Sequence, residues 1–271
     1  MRLAFFLILI VALAHSEFII EKVDVLINDI SEDGSAHVHE SIKMLIYGEN
    51  SKLIYDTGLT SNDLAFWSNI TNLRQIKAHV NPSLIGINDL RVRPQPRTKC
   101  NPIQGVCHGE LILDYIASPI LNENNSVIKG SGLFNITKYK PRTRRYSINP
   151  NVLSFVSTPE NNTIIGSYES LTIALPENNL VYDVNPAPAD FESNFPIYLS
   201  TLSWSDVILV KFSLIFDVEE GIDKEVTDFL SSIVVGFLSL TKTQNGIALI
   251  FLIGILLGFF IYINVSKKRG E

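Results

Sequence analysis

The chain has 271 residues, 46% of them hydrophobic, and a mean hydropathy of +0.21 that is high for a wholly soluble protein. Outside its two apolar ends it carries 18 basic and 27 acidic residues, near −9, which excludes a general nucleic-acid binder. Two cysteines are too few for a disulfide-dense miniature scaffold or a four-cysteine zinc site.

Met1-Arg2 is followed by Leu3–Ala14, twelve apolar residues. As a helix this stretch reaches about 18 Å, short of the roughly 30 Å hydrocarbon core, so residues 1–16 read as a secretory signal peptide. The small residues Ala12, Ala14 and Ser16 direct cleavage after Ala14 or Ser16. Next, Val23, Val25 and Ile27 alternate with Asp24, Leu26 and Asn28, and Ser31–Ser35 holds an Asp-Gly turn. Ala36, Val38, Glu40, Ile42, Met44 and Ile46 then share one face, with His37, His39, Ser41, Lys43, Leu45 and Tyr47 on the other. A period of two predicts a half-buried hairpin.

Further strands are predicted at Leu53–Thr57, Leu73–Val80, Glu110–Ala117, Thr143–Ile148, Leu171–Leu175, Ile197–Trp204 and Asp206–Val218. One helix is predicted at Asn62–Thr71, with Ser61 as its cap. Short strands between polar turns predict an all-β ectodomain, an antiparallel β-sandwich that is either one large or two small. The softest boundary, near Asn149–Thr158, would separate an N-terminal β-sandwich (17–150) from a C-terminal β-rich region (151–220).

Cys100 and Cys107 bracket Pro102 and Gly105, which favour a tight reversal, and in an exported chain they are expected to form a disulfide. Closing so short a loop stabilises by about 2.5 kcal/mol in the chain-entropy model. A redox or metal role would require free thiols and closer helper groups. Two basic runs flank this loop: Arg91, Arg93 and Arg97, then Lys138, Lys140, Arg142, Arg144 and Arg145. From Arg91 to Arg145 the chain carries ten basic against three acidic residues. Their prolines predict edge strands or extended loops. Such runs blunt sheet edges, or they accept an anionic partner such as an acidic protein, a charged glycan or a lipid headgroup.

In Gly221–Lys242 the period changes: Ile222, Val226, Phe229, Ile233 and Phe237 recur at three- and four-residue spacing. That predicts a membrane-proximal helix within 221–245. Gly246–Val265 follows, twenty residues without a charge, about 30 Å as a helix and so a transmembrane helix at 246–265. Lys267-Lys268-Arg269 in the tail 266–271 places that end in the cytoplasm. The expected product is a single-pass type I membrane protein with an extracytoplasmic ectodomain.

Asn69, Asn124, Asn135 and Asn161 are glycosylation candidates, whereas the sequon at Asn264 falls inside the span. His37 and His39 share a strand face and form the weak candidate for a metal, with His79, His108 or Glu40 as the third ligand; the more ordinary reading is two polar residues facing solvent. No nucleophile elbow or phosphate loop occurs, and the acidic residues are scattered, so neither a catalytic residue nor a cofactor is predicted.

The stretches Val23–Glu40, Leu171–Pro176 with the Pro186/Pro188 turn, and Leu202–Trp204 leading into Val210–Val218 resemble the ectodomains of single-pass membrane proteins of archaea and some bacteria that have no assigned reaction. The resemblance implies a β-sandwich and this topology, and it transfers no active site. The expected function is that of a non-enzymatic, membrane-anchored protein of cell-surface structure or protein–protein interaction. Membrane lipid and a protein in the envelope or membrane are its expected partners, and nucleic acid is not. The alternative is an accessory subunit of a membrane complex for translocation, glycosylation or transport; a metal-dependent hydrolase is the remote one.

Overall fold

A computed structural model describes residues 17–101, 103–124, 126–140, 142–160, 162–188 and 195–219, with positions 221, 227, 231, 234 and 235. The chain divides into two compact units, Met1–Glu219 and Glu220–Glu271. The expected signal peptide at 1–16, most of the expected helix at 221–245, the span at 246–265 and the tail at 266–271 lie outside the described residues. Positions 227, 231, 234 and 235 are helical. Among the described residues no helix is long and apolar enough to cross a membrane.

The first unit is mostly β. It opens with β1 (Glu17–Asn28) and β2 (Ala36–Tyr47), then α1 (Gly48–Gly58) and α2 (Leu64–Thr71). Next come β3 (Gly86–Asn101), β4 (Val106–Ser118), β5 (Phe134–Lys140), β6 (Thr143–Ile148) and the short β7 (Val156–Ser157). The last strands are β8 (Thr163–Ala174), β9 (Asn179–Asn185), β10 (Thr201–Leu209) and β11 (Ser213–Glu219). Seven strands form one sheet in the order β10-β8-β1-β2-β4-β3, with β7 on β8; four form another in the order β5-β6-β11-β9. Strands from before and after residue 150 enter both sheets. A single cluster of buried apolar side chains draws on both, among them Val25, Ile42, Leu111 and Leu171 from the first and Phe134, Tyr146, Leu214 and Phe216 from the second.

The opening hairpin forms with the expected phase: along β2, every residue from Ala36 to Ile46 of the apolar set is buried and its neighbours are half-buried. The seven-stranded sheet is mixed, because β1 and β8 run parallel from Val23↔Glu169 to Ile27↔Ile173. A tight turn forces adjacent strands to be antiparallel, but β8 reaches β1 only after a long excursion and is free of that constraint. The basic, proline-bearing β3 is an edge strand, where a missing N–H costs no ladder bond, whereas the second basic run divides between the edge strand β5 and the inner strand β6, which carries Arg144 and Arg145.

Two segments expected as strands take other forms. Leu53–Thr57 lies in α1, whose Ser51, Tyr55 and Gly58 are buried at helical spacing. Within Leu73–Val80 the backbone turns, with Ile76 N–H donating to Leu73 O at 3.2 Å, and Val80 forms an isolated β-bridge with Leu153. Tyr55 in the first and Ile76 and Val80 in the second reach the core, and that burial outweighs the local β preference. The run Asp206–Val218 is interrupted: Lys211 has φ +49° and the chain reverses between β10 and β11. The helix near Asn62 forms as α2, with Asp63 as cap in place of Ser61; its carboxylate accepts from Ala65 N–H at 2.9 Å.

Candidate functional site

The outward face of the seven-stranded sheet carries a connected set of charged side chains. Period-two alternation turns the apolar residues of β1, β2 and β4 inward and stands their polar neighbours outward in cross-strand rows. One row places Lys22 opposite Lys43, Lys43 opposite Glu110, and Glu110 opposite Gln95. Another places His39 opposite Asp114, with Arg91 beyond.

Within these rows the charges are paired. The Asp114 carboxylate meets His39 Nδ1 at 2.7 Å through one oxygen and accepts from the Arg93 guanidinium through the other. Burial pushes its pKa up, yet the bonds from His39 and Arg93 and the charge of Arg93 outweigh that and hold it below the ordinary carboxylate value. His37 Nδ1 lies 3.1 Å from Asn28 Oδ1, and its Nε2 is 3.9 Å from Asp114. Ser41 donates to Glu110 at 2.5 Å, and Asp24 takes Lys22 at 2.7 Å and the Ser170 hydroxyl at 2.6 Å. For Asp24 as well burial acts upward, and the bonds from Lys22 and Ser170 prevail, lowering its pKa. His108 Nδ1 sits 2.7 Å from Glu21. Around that pair open two grooves, one of about 600 Å³ lined by Lys22, Lys43, Gln95 and Glu110, the other of about 710 Å³ lined by Tyr47, Asn101 and Gln104.

The structure divides the two basic runs. Arg91 and Arg93 stand on this face, while Arg97 turns to α1 and is gripped by both oxygens of Asp56 at 2.9 and 3.0 Å. The second run lies on the four-stranded sheet. There Arg145 makes a two-pronged pair with the buried Asp217 at 2.7 and 2.9 Å, and its guanidinium lies 3.9 Å from the Tyr139 ring and 4.9 Å from that of Tyr182. Arg142 pairs with Glu219 at 3.3 Å and Arg144 with Glu32 at 3.2 Å. Lys138 and Lys140 are exposed on β5, Lys140 lying 5.4 Å from the Tyr139 ring. The excess charge of the sequence is thus met largely by carboxylates brought from distant segments.

His37 and His39 share a face and the carboxylate of Asp114; His79 is elsewhere, in the core. Among the described residues no group of three His, Cys, Asp or Glu is arranged to hold a metal ion. Cys100 and Cys107 form the expected disulfide. Asn69, Asn124 and Asn135 are exposed, on α2, in a turn and on β5; Asn161 lies outside the described residues.

A buried polar cluster was not anticipated. Glu40, fully buried on the apolar face of β2, accepts through Oε1 from Tyr115 Oη at 2.5 Å and from His79 N–H at 2.8 Å; its Oε2 lies 2.7 Å from His79 Nδ1. Burial, with the charge and hydrogen bond of Glu40, pushes the Tyr115 hydroxyl far up. Among the described residues His79 Nε2 has no hydrogen-bond partner, and the ring packs 5.0 Å from Phe155. A carboxylate at a core-phase position of an amphipathic strand was the available signal, and it implies a buried partner.

No family model matches the chain, and no curated protein matches it. Among solved structures it is similar to native leukotriene A4 hydrolase from Saccharomyces cerevisiae, at 9% identity and a TM-score of 0.30. That likeness covers 76% of this chain and 30% of the hydrolase, so the chain spans less than a third of that protein.

Proposed function

We propose that this protein is a non-enzymatic, membrane-anchored extracytoplasmic β-sandwich that docks another protein of the cell surface or membrane. The observation that carries the reading is the outward face of the seven-stranded sheet, where His, Lys, Arg, Asp and Glu stand in cross-strand rows over β1, β2, β3 and β4. A broad face of paired charges, with grooves of about 600 and 710 Å³ between them, is chemistry for reading the charge pattern of a partner. The disulfide supports export, since such bonds persist in oxidising compartments. The apolar cluster shared by both sheets supports a sandwich. Gly246–Val265 supplies the anchor.

The test is crosslinking in native membranes followed by purification, for the natural chain and for a Lys22→Glu, Lys43→Glu variant with an unchanged melting temperature. Recovery of one envelope or membrane protein by the natural chain, and its loss with the variant, is expected. Equal recovery by both overturns the docking face, and a multispanning partner in fixed ratio assigns the chain to a membrane complex. Tags at the two ends of the mature chain reporting the same side of the membrane would overturn the topology.

A further inference from the structure

We infer that the Cys100–Cys107 bridge is a thiol–disulfide exchange site, opened by an external dithiol and tuned by Arg97. Cys100 is exposed on the edge strand β3, whereas Cys107, opposite on β4, is fully buried. The guanidinium Nη1 of Arg97 lies 3.3 Å from Cys100 Sγ and 3.5 Å from Cys107 Sγ. Its Nε is held by both carboxylate oxygens of Asp56 on α1, so the positive charge is fixed beside the sulfurs. A neutral disulfide gains little from such a neighbour, while a thiolate gains a great deal. Arg97 therefore favours the reduced state and makes Cys107 the better leaving group.

Exposure sets the order of events. A thiolate of the dithiol attacks Cys100 Sγ; the Cys100–Cys107 bond breaks, and its electron pair leaves on Cys107 Sγ as a thiolate beside Arg97. The second thiol of the reagent then gives up its proton and attacks the sulfur bound to Cys100. Cys100 leaves with that electron pair and takes up a proton, and the reagent departs as its own disulfide. Two electrons have passed from the dithiol to the protein. The bridge ties the turn between β3 and β4, and Asn101, Gln104 and Val106 of that turn line the larger groove around His108 and Glu21. Opening it frees one rim of the face proposed to dock a partner.

The full chain, solubilised in detergent, is equilibrated with reduced and oxidised dithiothreitol at pH 7.5, and the reduced fraction is read by alkylation and mass. The natural bridge is expected to be reduced without denaturant. Arg97→Gln shifts the equilibrium about tenfold toward the disulfide, and Arg97→Lys recovers most of the loss. Asp56→Asn leaves Arg97 without its counter-charge and shifts the equilibrium the other way. At pH 5, well below the ordinary thiol range, the Gln variant and the natural chain are expected to converge. A bridge that answers only to local loosening moves in the same direction in both variants and at both pH values, and that result overturns the inference. So does a bridge that resists the dithiol until the protein is unfolded. If Arg97→Gln does not fold, Asp56→Asn decides alone, with no shift or a shift toward the disulfide as the overturning result.

Discussion

Glu40 shows how much one side chain can hold in place. Its carboxylate takes three donors from two distant segments, the Tyr115 hydroxyl on β4 and the N–H and ring of His79, at 2.5, 2.8 and 2.7 Å. A buried charge is tolerated only where such bonds replace water. Tyr115→Phe removes one of them with little change of volume, and unfolding in urea is expected to show a loss of about 1–3 kcal/mol. Glu40→Leu strands the Tyr115 and His79 donors together and is expected to cost more, about 3–5 kcal/mol. On the outer face, Asp114 has its pKa held below the ordinary value of 3.8. A depressed acid contributes stability that is present above its unfolded pKa and lost as pH falls through the folded one. Stability should therefore fall from about pH 4 downward. Asp114→Asn should flatten that part of a melting-temperature curve.

The element that best illustrates competition between local and tertiary preference is α1. Its Leu53-Ile54-Tyr55 core favours strand by composition, but the helix lets Tyr55 lie against β3 and β4. There its hydroxyl meets Gln95 O at 2.6 Å and accepts from Glu110 N–H at 2.9 Å, and Ser51 Oγ accepts from Glu17 N–H at 2.8 Å. Burial pushes the Tyr55 hydroxyl up to about 12, so it stays protonated and a donor. The ring rests on Gly109, where a Cβ would stand 2.6 Å from Tyr55 Cε2 and 2.9 Å from Ile46 Cδ1. A ring pinned at its hydroxyl cannot retreat. Gly109→Ala is therefore expected to cost roughly 1–3 kcal/mol, read as a lower melting temperature. The strands β2 and β4 were legible because their side chains alternate over almost the whole element. α1 and the turns at Leu73–Val80 were not, since their conformation depends on what Tyr55 and Ile76 find beneath them.

At the scale of the first unit, the large sheet is closed by a contact between distant parts of the chain: Asp24 on β1 meets Ser170 on β8, 146 residues away. The small sheet depends equally on late sequence, since β11 sits between β6 and β9. A fragment of residues 17–150 would keep β1–β6 but lose β8 and β11, uncovering the β1 edge and one side of β6. It is expected to lack cooperative unfolding and to be cleaved rapidly by protease under conditions where the full chain resists. A fragment that melts cooperatively would show that the strands before residue 150 hold a core of their own.

Taken by itself, the sequence determined the β class, the phase of the opening hairpin, the edge position of the proline-bearing run on β3, and the cysteine pair. Each is written in local spacing, because a period of two assigns side chains to faces, proline avoids inner strands, and a short loop brings two thiols together. Only the tertiary structure decided that β8 lies parallel to β1, that Glu40 has His79 and Tyr115 as partners, and that Arg97, fifth among the basic and proline residues of its run, stands over the bridge. Those outcomes depend on which distant segments meet, and that choice is made by burial of the whole core, which no local pattern records.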